Sequence, residues 1–235
     1  MFSRTIQAIG ETAFARLQSA RVILFGVGGV GGWCAEALVR TGVQHLTIVD
    51  FDTIAPSNLN RQVVATAANI GQTKVEQMRA RLLSINPQAD ITALPMRYDA
   101  DTADRFDFNQ YDYILDAIDS LDCKMLLIHR ATLSTATLFS SMGAARKYDP
   151  ARIEVAEFWK VHGCPLARAL RTRMKKAEML PAKKFLCAFS PEISADSGTL
   201  APVVGTFGFR LAAEVVKDIL TPQRTHNSYF INHNS

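Results

Sequence analysis

Residues 21–52 read RVILFGVGGVGGWCAEALVRTGVQHLTIVDFD, and few folds accept that order. An apolar strand at 22–25 runs into Gly26, Gly28, Gly29 and Gly31, and a helix opens at about Gly32. A second apolar strand at 46–49 ends in Asp50, 24 residues beyond the first glycine. Glycines in such a turn let backbone N–H groups approach a phosphate, and the helix N-terminus adds a favourable dipole. A carboxylate at that distance can accept ribose hydroxyls. Strand, turn, helix, strand and acid together predict a nucleotide-binding α/β unit.

The alternation continues. Helical spacing of Val75, Met78, Leu82 and Ile85 predicts a helix over 72–85, halted at Asn86-Pro87. Strands are expected at 91–94, 113–117 and 138–142, with a helix at 125–133 between the last two. A short helix at 11–17 leads into the first strand, and Gly42 stops the first crossover helix, 32–40. Such a pattern implies a parallel sheet covered on both faces, with ligands beyond the carboxyl ends of its strands, where Asp50 and Asp119 fall. Past Gly143 the character changes: strands at 152–158 and 185–189, a polar loop at 194–199, a long helix at 203–220 and a closing strand at 228–231. The expected fold is a Rossmann-like, doubly wound, mostly parallel sheet with a C-terminal elaboration. One domain of 235 residues is expected, with nucleotide binding in 1–143 and substrate binding and dimerisation in 144–235.

Composition narrows the function. Hydrophobic residues are 48% and charged residues 20%, an ordinary soluble balance. No run approaches the roughly 20 apolar residues that span a membrane, and the first residues lack the apolar core of a signal peptide. A cytoplasmic protein is the expectation. Cys34, Cys123, Cys164 and Cys187 are scattered singly, so no CxxC pair offers a zinc or dithiol site. Net charge is +4, yet residues 165–184 hold seven cations against Glu178, so the positive excess lives there. That stretch is either a solvated helix face with snorkelling stems or a landing surface for a polyanion.

The run Asn58-Leu59-Asn60-Arg61-Gln62, followed by Lys74, is what hydride transfer would not need. A triphosphate would. Arg61 and Lys74 can neutralise phosphate oxygens and the charge that builds on departing pyrophosphate, unless they belong to a solvated loop. Asp119, at a strand end, can hold magnesium or cap the strand.

GVGGVG, VDFD, SNLNRQ, GQTKVE and DAIDS, in that order, resemble the ubiquitin-activating-enzyme superfamily and its bacterial ThiF- and MoeB-like adenylating relatives. The resemblance covers about residues 3–143. It implies attack of a carboxylate on the α-phosphate of ATP, giving an acyl-adenylate and pyrophosphate. It places Gly28 and Gly29 on the phosphates, with Gly26 and Gly31 completing the fingerprint, and Asp50 on the ribose. Asn58, Arg61 and Lys74 address the phosphates within a binding run that includes Asn60 and Gln62, and Asp119 holds Mg2+. Arg4 matches an arginine that crosses a homodimer interface to the partner's ATP.

The second half resembles the tRNA threonylcarbamoyladenosine dehydratase group, through DSLDCKMLLI, SSMGAARKYDPARIEVAEFWKVHGCPLARALRTRMKK, FSPE and GTLAPVVGTFGF. This implies a tRNA substrate whose threonyl carboxylate is adenylated and then attacked by its own carbamoyl group, a ring closure with high effective molarity. The resemblance gives Arg168, Arg171, Arg173, Lys175 and Lys176 the task of holding the tRNA backbone. It allows a monovalent cation near 194–199 and a sulfur-relay partner of the cysteine desulfurase system. Some members carry a cysteine where this chain has Asp196-Ser197-Gly198-Thr199, which leaves Cys187 as the thiol to test. The alternative with the same chemistry is adenylation of a ubiquitin-like sulfur-carrier C-terminus, against which stand the missing CxxC pairs and the basic segment. An NAD-dependent oxidoreductase would leave Asn58, Arg61 and Lys74 unexplained, and a non-catalytic RNA-binding module would not need an ATP constellation.

Overall fold

Side chains alternate across strand β1 (Arg21–Phe25), and that alternation sets the layers. Val22 and Leu24 enter one apolar cluster, Ile23 and Phe25 the other, one on each face of the sheet. The computed structural model describes residues 1–195 and 197–221. Two short helices, α1 (Ser3–Ile9) and α2 (Glu11–Ser19), precede β1. Helix α3 (Gly29–Thr41), strand β2 (His45–Val49), helix α4 (Lys74–Ile85) and strand β3 (Asp90–Leu94) complete the first unit. The chain then returns to the other side of β1 as β4 (Tyr113–Asp116), α5 (Leu121–Leu133) and β5 (Thr137–Ser141). Strand β6 (Glu154–Glu157), helix α6 (Pro165–Lys176), strand β7 (Leu186–Phe189) and helix α7 (Ala201–Leu220) follow.

The seven strands lie in the order β3-β2-β1-β4-β5-β7-β6. All pairings are parallel except β6 with β7, so the elaboration closes one edge with an antiparallel strand. The sheet is the mostly parallel, doubly wound one expected. Helices α3 and α7 pack against each other on one face, joined by Val75, Met78 and Leu82 of α4. Leu127 and Ile128 of α5 and Leu170 and Met174 of α6 cover the other. Each such fully buried side chain contributes about 1.5–3 kcal/mol relative to exposure.

Several boundaries moved, most of all that of α5, which begins four residues earlier than expected. Helix α3 begins at Gly29, three residues earlier than expected. Helix α1 carries no buried residue and was not read from the sequence. Strand β6 stops at Glu157, where Glu157 Oε2 accepts the Trp159 N–H (3.1 Å) and turns the chain into a 3-10 helix at Phe158–Lys160. The expected strand at 228–231 and residue 196 of the polar loop lie outside the described residues.

Candidate active site

The switch of chain direction between β1 and β4 opens a cleft of about 510 Å3 at the carboxyl ends of the strands. Gly26, at φ +88°, turns the chain off β1, and a Cβ there would sit 2.7 Å from the Ala117 carbonyl oxygen. A Cβ on Gly31 would overlap the Gly26 carbonyl, so the first turn of α3 folds onto the loop only because both lack side chains. Gly28 and Gly29 line the cleft, and α3 starts at Gly29, which leaves its unpaired N–H groups at the cleft floor.

Asp50 follows β2 and lines the same floor. Its Oδ2 accepts the Val27 N–H at 2.7 Å and its Oδ1 the Asp52 N–H at 2.9 Å. Burial pushes its carboxyl above the usual aspartate range, although both backbone donors pull the other way. The remaining lone pairs are available to hydroxyl donors.

Two cations converge from the next loop. Lys74, the first residue of α4 and 5% exposed, places Nζ 2.7 Å from Asp52 Oδ2, and its N–H donates to the Asp52 carbonyl at 3.0 Å. Arg61 donates to the Ser57 carbonyl at 2.7 Å and to Asn60 Oδ1 at 2.8 Å. Trp33 Nε1 donates to the Arg61 carbonyl at 3.2 Å, tying α3 to this loop. Gln62 is buried in the cleft wall with Oε1 unpaired, an acceptor that a bound hydroxyl or amine would satisfy.

Asp119 is an exposed carboxylate on the opposite lip, just beyond β4. The turn carrying it is held from below. Asp116 and Lys124, both fully buried, pair at 2.8 Å. Ser140 Oγ donates to Asp116 Oδ2 at 2.6 Å, the Ile118 N–H donates to Oδ1 at 3.1 Å, and Lys124 Nζ donates to the Ile118 carbonyl at 2.9 Å. Among the described residues no cluster of three or more His, Cys, Asp or Glu side chains is spaced to hold a metal unaided.

A second wall comes from the elaboration. Residues 141–145 after β5, Leu166 at the start of α6, and Thr199 and Val204 close the cleft. Lys147 Nζ donates to the Glu192 carbonyl, and the Glu192 carboxylate accepts the N–H groups of Tyr148 and Asp149, each at 3.1 Å. These bonds latch the loop after β5 to the loop after β7. They hold the Glu192 carboxyl below the usual glutamate range.

The structure thus brings Gly26, Gly28, Gly29, Asp50, Arg61, Gln62, Lys74 and Asp119 into one cleft. Other expected residues sit behind it. Asn58 is buried, its Oδ1 accepting the Ala55 N–H at 3.0 Å to close a 3-10 turn. Asn60 orients Arg61 and donates to the Thr199 carbonyl at 3.0 Å, joining the two walls. Arg4 is exposed on α1 and donates to Gln7. On α6, Arg171 donates to the Phe158 and Val161 carbonyls (2.9 and 2.8 Å) and anchors the helix, while Arg173, exposed, pairs with the exposed Asp122 at 2.7 Å. Arg168, Lys175 and Lys176 are exposed. Cys187 is fully buried, and burial drives its thiol pKa up, which disfavours the thiolate. Asp52, Lys124, Lys147 and Glu192 were missed as supports. The second acid of VDFD and the lysine five residues after Asp119 were the signals for the first two.

The comparisons agree with this geometry. The ThiF family model matches residues 2–235. A tRNA threonylcarbamoyladenosine dehydratase of Bacillus subtilis (strain 168) is 41% identical over 175 residues, 74% of this chain and 69% of that protein. The crystal structure of E. coli tRNA N6-threonylcarbamoyladenosine dehydratase, TcdA, superposes with TM-score 0.88 at 33% identity, covering 93% of each chain. The same E. coli enzyme in complex with ATP superposes with TM-score 0.86 at 31% identity, again over 93% of each. The chain belongs to the ThiF family.

Proposed function

We propose that this protein is an ATP-dependent tRNA threonylcarbamoyladenosine dehydratase. The observation that carries the reading is the single cleft that joins a nucleotide floor to a second wall where the basic helix α6 begins. ATP fits the floor: glycines clear space for phosphates, Asp50 offers ribose an acceptor, and the unpaired Gln62 Oε1 awaits a donor. The likeness to dehydratases in both halves, one of them seen with ATP, supports the choice of substrate.

In this mechanism the threonyl carboxylate of the modified adenosine attacks the α-phosphorus and pyrophosphate leaves. Arg61 and Lys74 stabilise the charge gathering on the departing oxygens, and Asp52 keeps the Lys74 ammonium aimed. Magnesium commonly takes one or two carboxylates plus phosphate oxygens, so Asp119 suffices on the protein side, and the ion would neutralise phosphate charge. The carbamoyl oxygen of the same nucleoside then attacks the activated carbonyl. A C–O bond forms, the bond to AMP breaks and the ureido nitrogen loses a proton. The nucleophile is already attached, so no enzyme thiol is required, in keeping with the buried Cys187.

The reading extends to assembly. Arg4 is assigned to the ATP of a partner subunit in a homodimer, consistent with its exposed place outside its own cleft. A cytoplasmic setting and a sulfur-relay partner belong to the same reading. Among the described residues no helix is long and apolar enough to cross a membrane.

The test is ATP-dependent pyrophosphate release with tRNA bearing threonylcarbamoyladenosine against unmodified tRNA, with digested nucleosides followed by mass spectrometry. Turnover and loss of one water only with modified tRNA is the expected result. Pyrophosphate turnover driven by a sulfur-carrier protein, without response to tRNA, would replace the reading with carrier adenylation.

A further inference from the structure

An indole stands where a basic protein surface would ordinarily place a polar side chain. Trp159 is 43% exposed on the 3-10 turn that follows β6, and nothing in the chemistry above uses it. Glu157 Oε2 accepts its main-chain N–H, and its ring meets the ring of Phe158 edge to face at 5.2 Å. Phe158 is fully buried, stacked on Phe185 at 5.0 Å and covered by the Arg171 guanidinium. The indole is therefore the outer layer of an aromatic pile whose inner rings are buried.

Its surroundings are cationic. Lys175 Nζ lies 5.7 Å from the Trp159 ring centroid. Between residues 157 and 176 there are six Lys or Arg side chains and one acid, Glu157, whose Oε1 is buried. Lys160, Arg168 and Lys176 are exposed alongside. Exposed cations beside an aromatic face are the elements of single-stranded nucleic-acid binding, in which bases stack and phosphates meet lysines. The place is informative too. Leu166 of α6 lines the cleft, and Lys175 is nine residues further along the same helix, about 14 Å at 1.5 Å per residue. That distance is too great for contact with a group reacting in the cleft.

We infer that Trp159 is a stacking platform for an unpaired RNA base flanking the nucleotide in the cleft, with Lys175 moving from the indole to an adjacent phosphate. The inference rests on the reading of the substrate as tRNA. Trp159 is then a positioning residue: it sets the register of the RNA strand and leaves ATP chemistry alone.

The chain has two tryptophans, Trp33 and Trp159, so fluorescence can separate them. Unmodified tRNA transcript is titrated into the full-length protein and into Trp159→Phe, Trp159→Ala and Lys175→Gln. Stacking predicts quenching in the wild type that disappears in Trp159→Phe, where Trp33 remains. Trp159→Ala should bind the transcript about ten-fold or more weakly, the loss of one stacked base, with Trp159→Phe between. ATP affinity should be unchanged in all three. Lys175→Gln, a surface change that spares the aromatic pile, should lower the slope of log affinity against log salt by about one. Equal transcript affinity in Trp159→Ala and wild type, with no indole quenching, would overturn the platform while leaving the tRNA reading intact. Failure of the wild type to bind tRNA, with a carrier protein adenylated instead, would overturn both.

Discussion

The two ends of the sheet hold their functional groups by different means. At the β3-β2-β1-β4 end, Asp50 and Lys74 are held by groups of the loops directly beside them at the strand ends: Asp50 by the N–H groups of residues 27 and 52, and Lys74 by Asp52, none more than 23 residues away. At the β5-β7-β6 end, α6 is tied to the carbonyls of Phe158 and Val161 just before it, but the loop after β5 is held by Glu192, more than 40 residues away. A site built from neighbouring turns keeps its geometry as long as its strands form. One built from distant loops depends on a few side chains that can be removed singly, and the two ends should therefore fail separately.

The Asp116–Lys124 pair sits where the ends meet, and breaking it should have the largest effect. Lys124→Met leaves Asp116 buried without its partner, a situation that costs about 3–5 kcal/mol. Urea denaturation should show that loss, and Asp116→Leu combined with Lys124→Met should recover part of it. The double variant should still be catalytically weak, because the Ile118 carbonyl and N–H that aim Asp119 lose both partners. Full activity in the double variant would remove the pair's positioning role.

Next in size are the groups that touch phosphate. Arg61→Ala, Lys74→Ala and Asp119→Ala should each lower pyrophosphate release on the order of 100-fold, the usual scale for losing one transition-state donor. Melting temperatures should move little for Arg61 and Asp119, which are less buried than Lys74. Glu192→Ala is the matching experiment at the other end. It should raise KM for the RNA substrate and leave KM for ATP alone, because it frees the second wall and touches no residue of the floor. If KM for ATP rises instead, the two ends are coupled more tightly than their bonding suggests.

This division also explains what the sequence disclosed. The first unit was readable because its chemistry is written in short spacings: glycines, an acid 24 residues on, and a cation opening a helix. Gly31 signals close backbone approach by being a glycine at all. In the second half, residue type alone misleads. Arg171 reads as part of a polyanion surface, yet two carbonyls bind its guanidinium, whereas Arg173 pairs with Asp122 and stays exposed, and only packing separates the two. Asn58 reads as a ligand contact, and its Oδ1 also completes a turn three residues back, a role that its residue type alone does not announce. Lys147 and Glu192 carry no periodic signal, since a contact across 45 residues depends on how β5 and β7 come side by side. Helix α1 escaped notice because it is short: over seven residues only Ile6 and Ile9, both partly buried, mark its inner face, too few to show a period.

The smallest effect lies in acid titration, and it sets the two ends against each other. Burial raises the Asp50 carboxyl, whereas backbone N–H groups lower that of Glu192. On acidification Asp50 therefore takes up its proton earlier than an ordinary aspartate does, and Glu192 later than an ordinary glutamate. Protonation replaces an acceptor with a donor, so ATP affinity should begin to fall at a pH above the ordinary aspartate range, whereas the latch of the second wall should persist to a pH below the ordinary glutamate range. The stability signs are opposite as well. A raised carboxyl favours the folded protein below its unfolded-state value, and that contribution is lost as pH rises through the folded one. A lowered carboxyl favours folding above its unfolded-state value, and its contribution is lost as pH falls through the folded one. ATP affinity measured by calorimetry across mildly acidic pH should decline in the wild type and stay flat in Asp50→Asn, from a lower starting value. Transcript affinity at matched ionic strength should hold over the same range. A joint decline of both, at one midpoint, would mean that acid opens the cleft as a whole and that its two walls are not separately anchored.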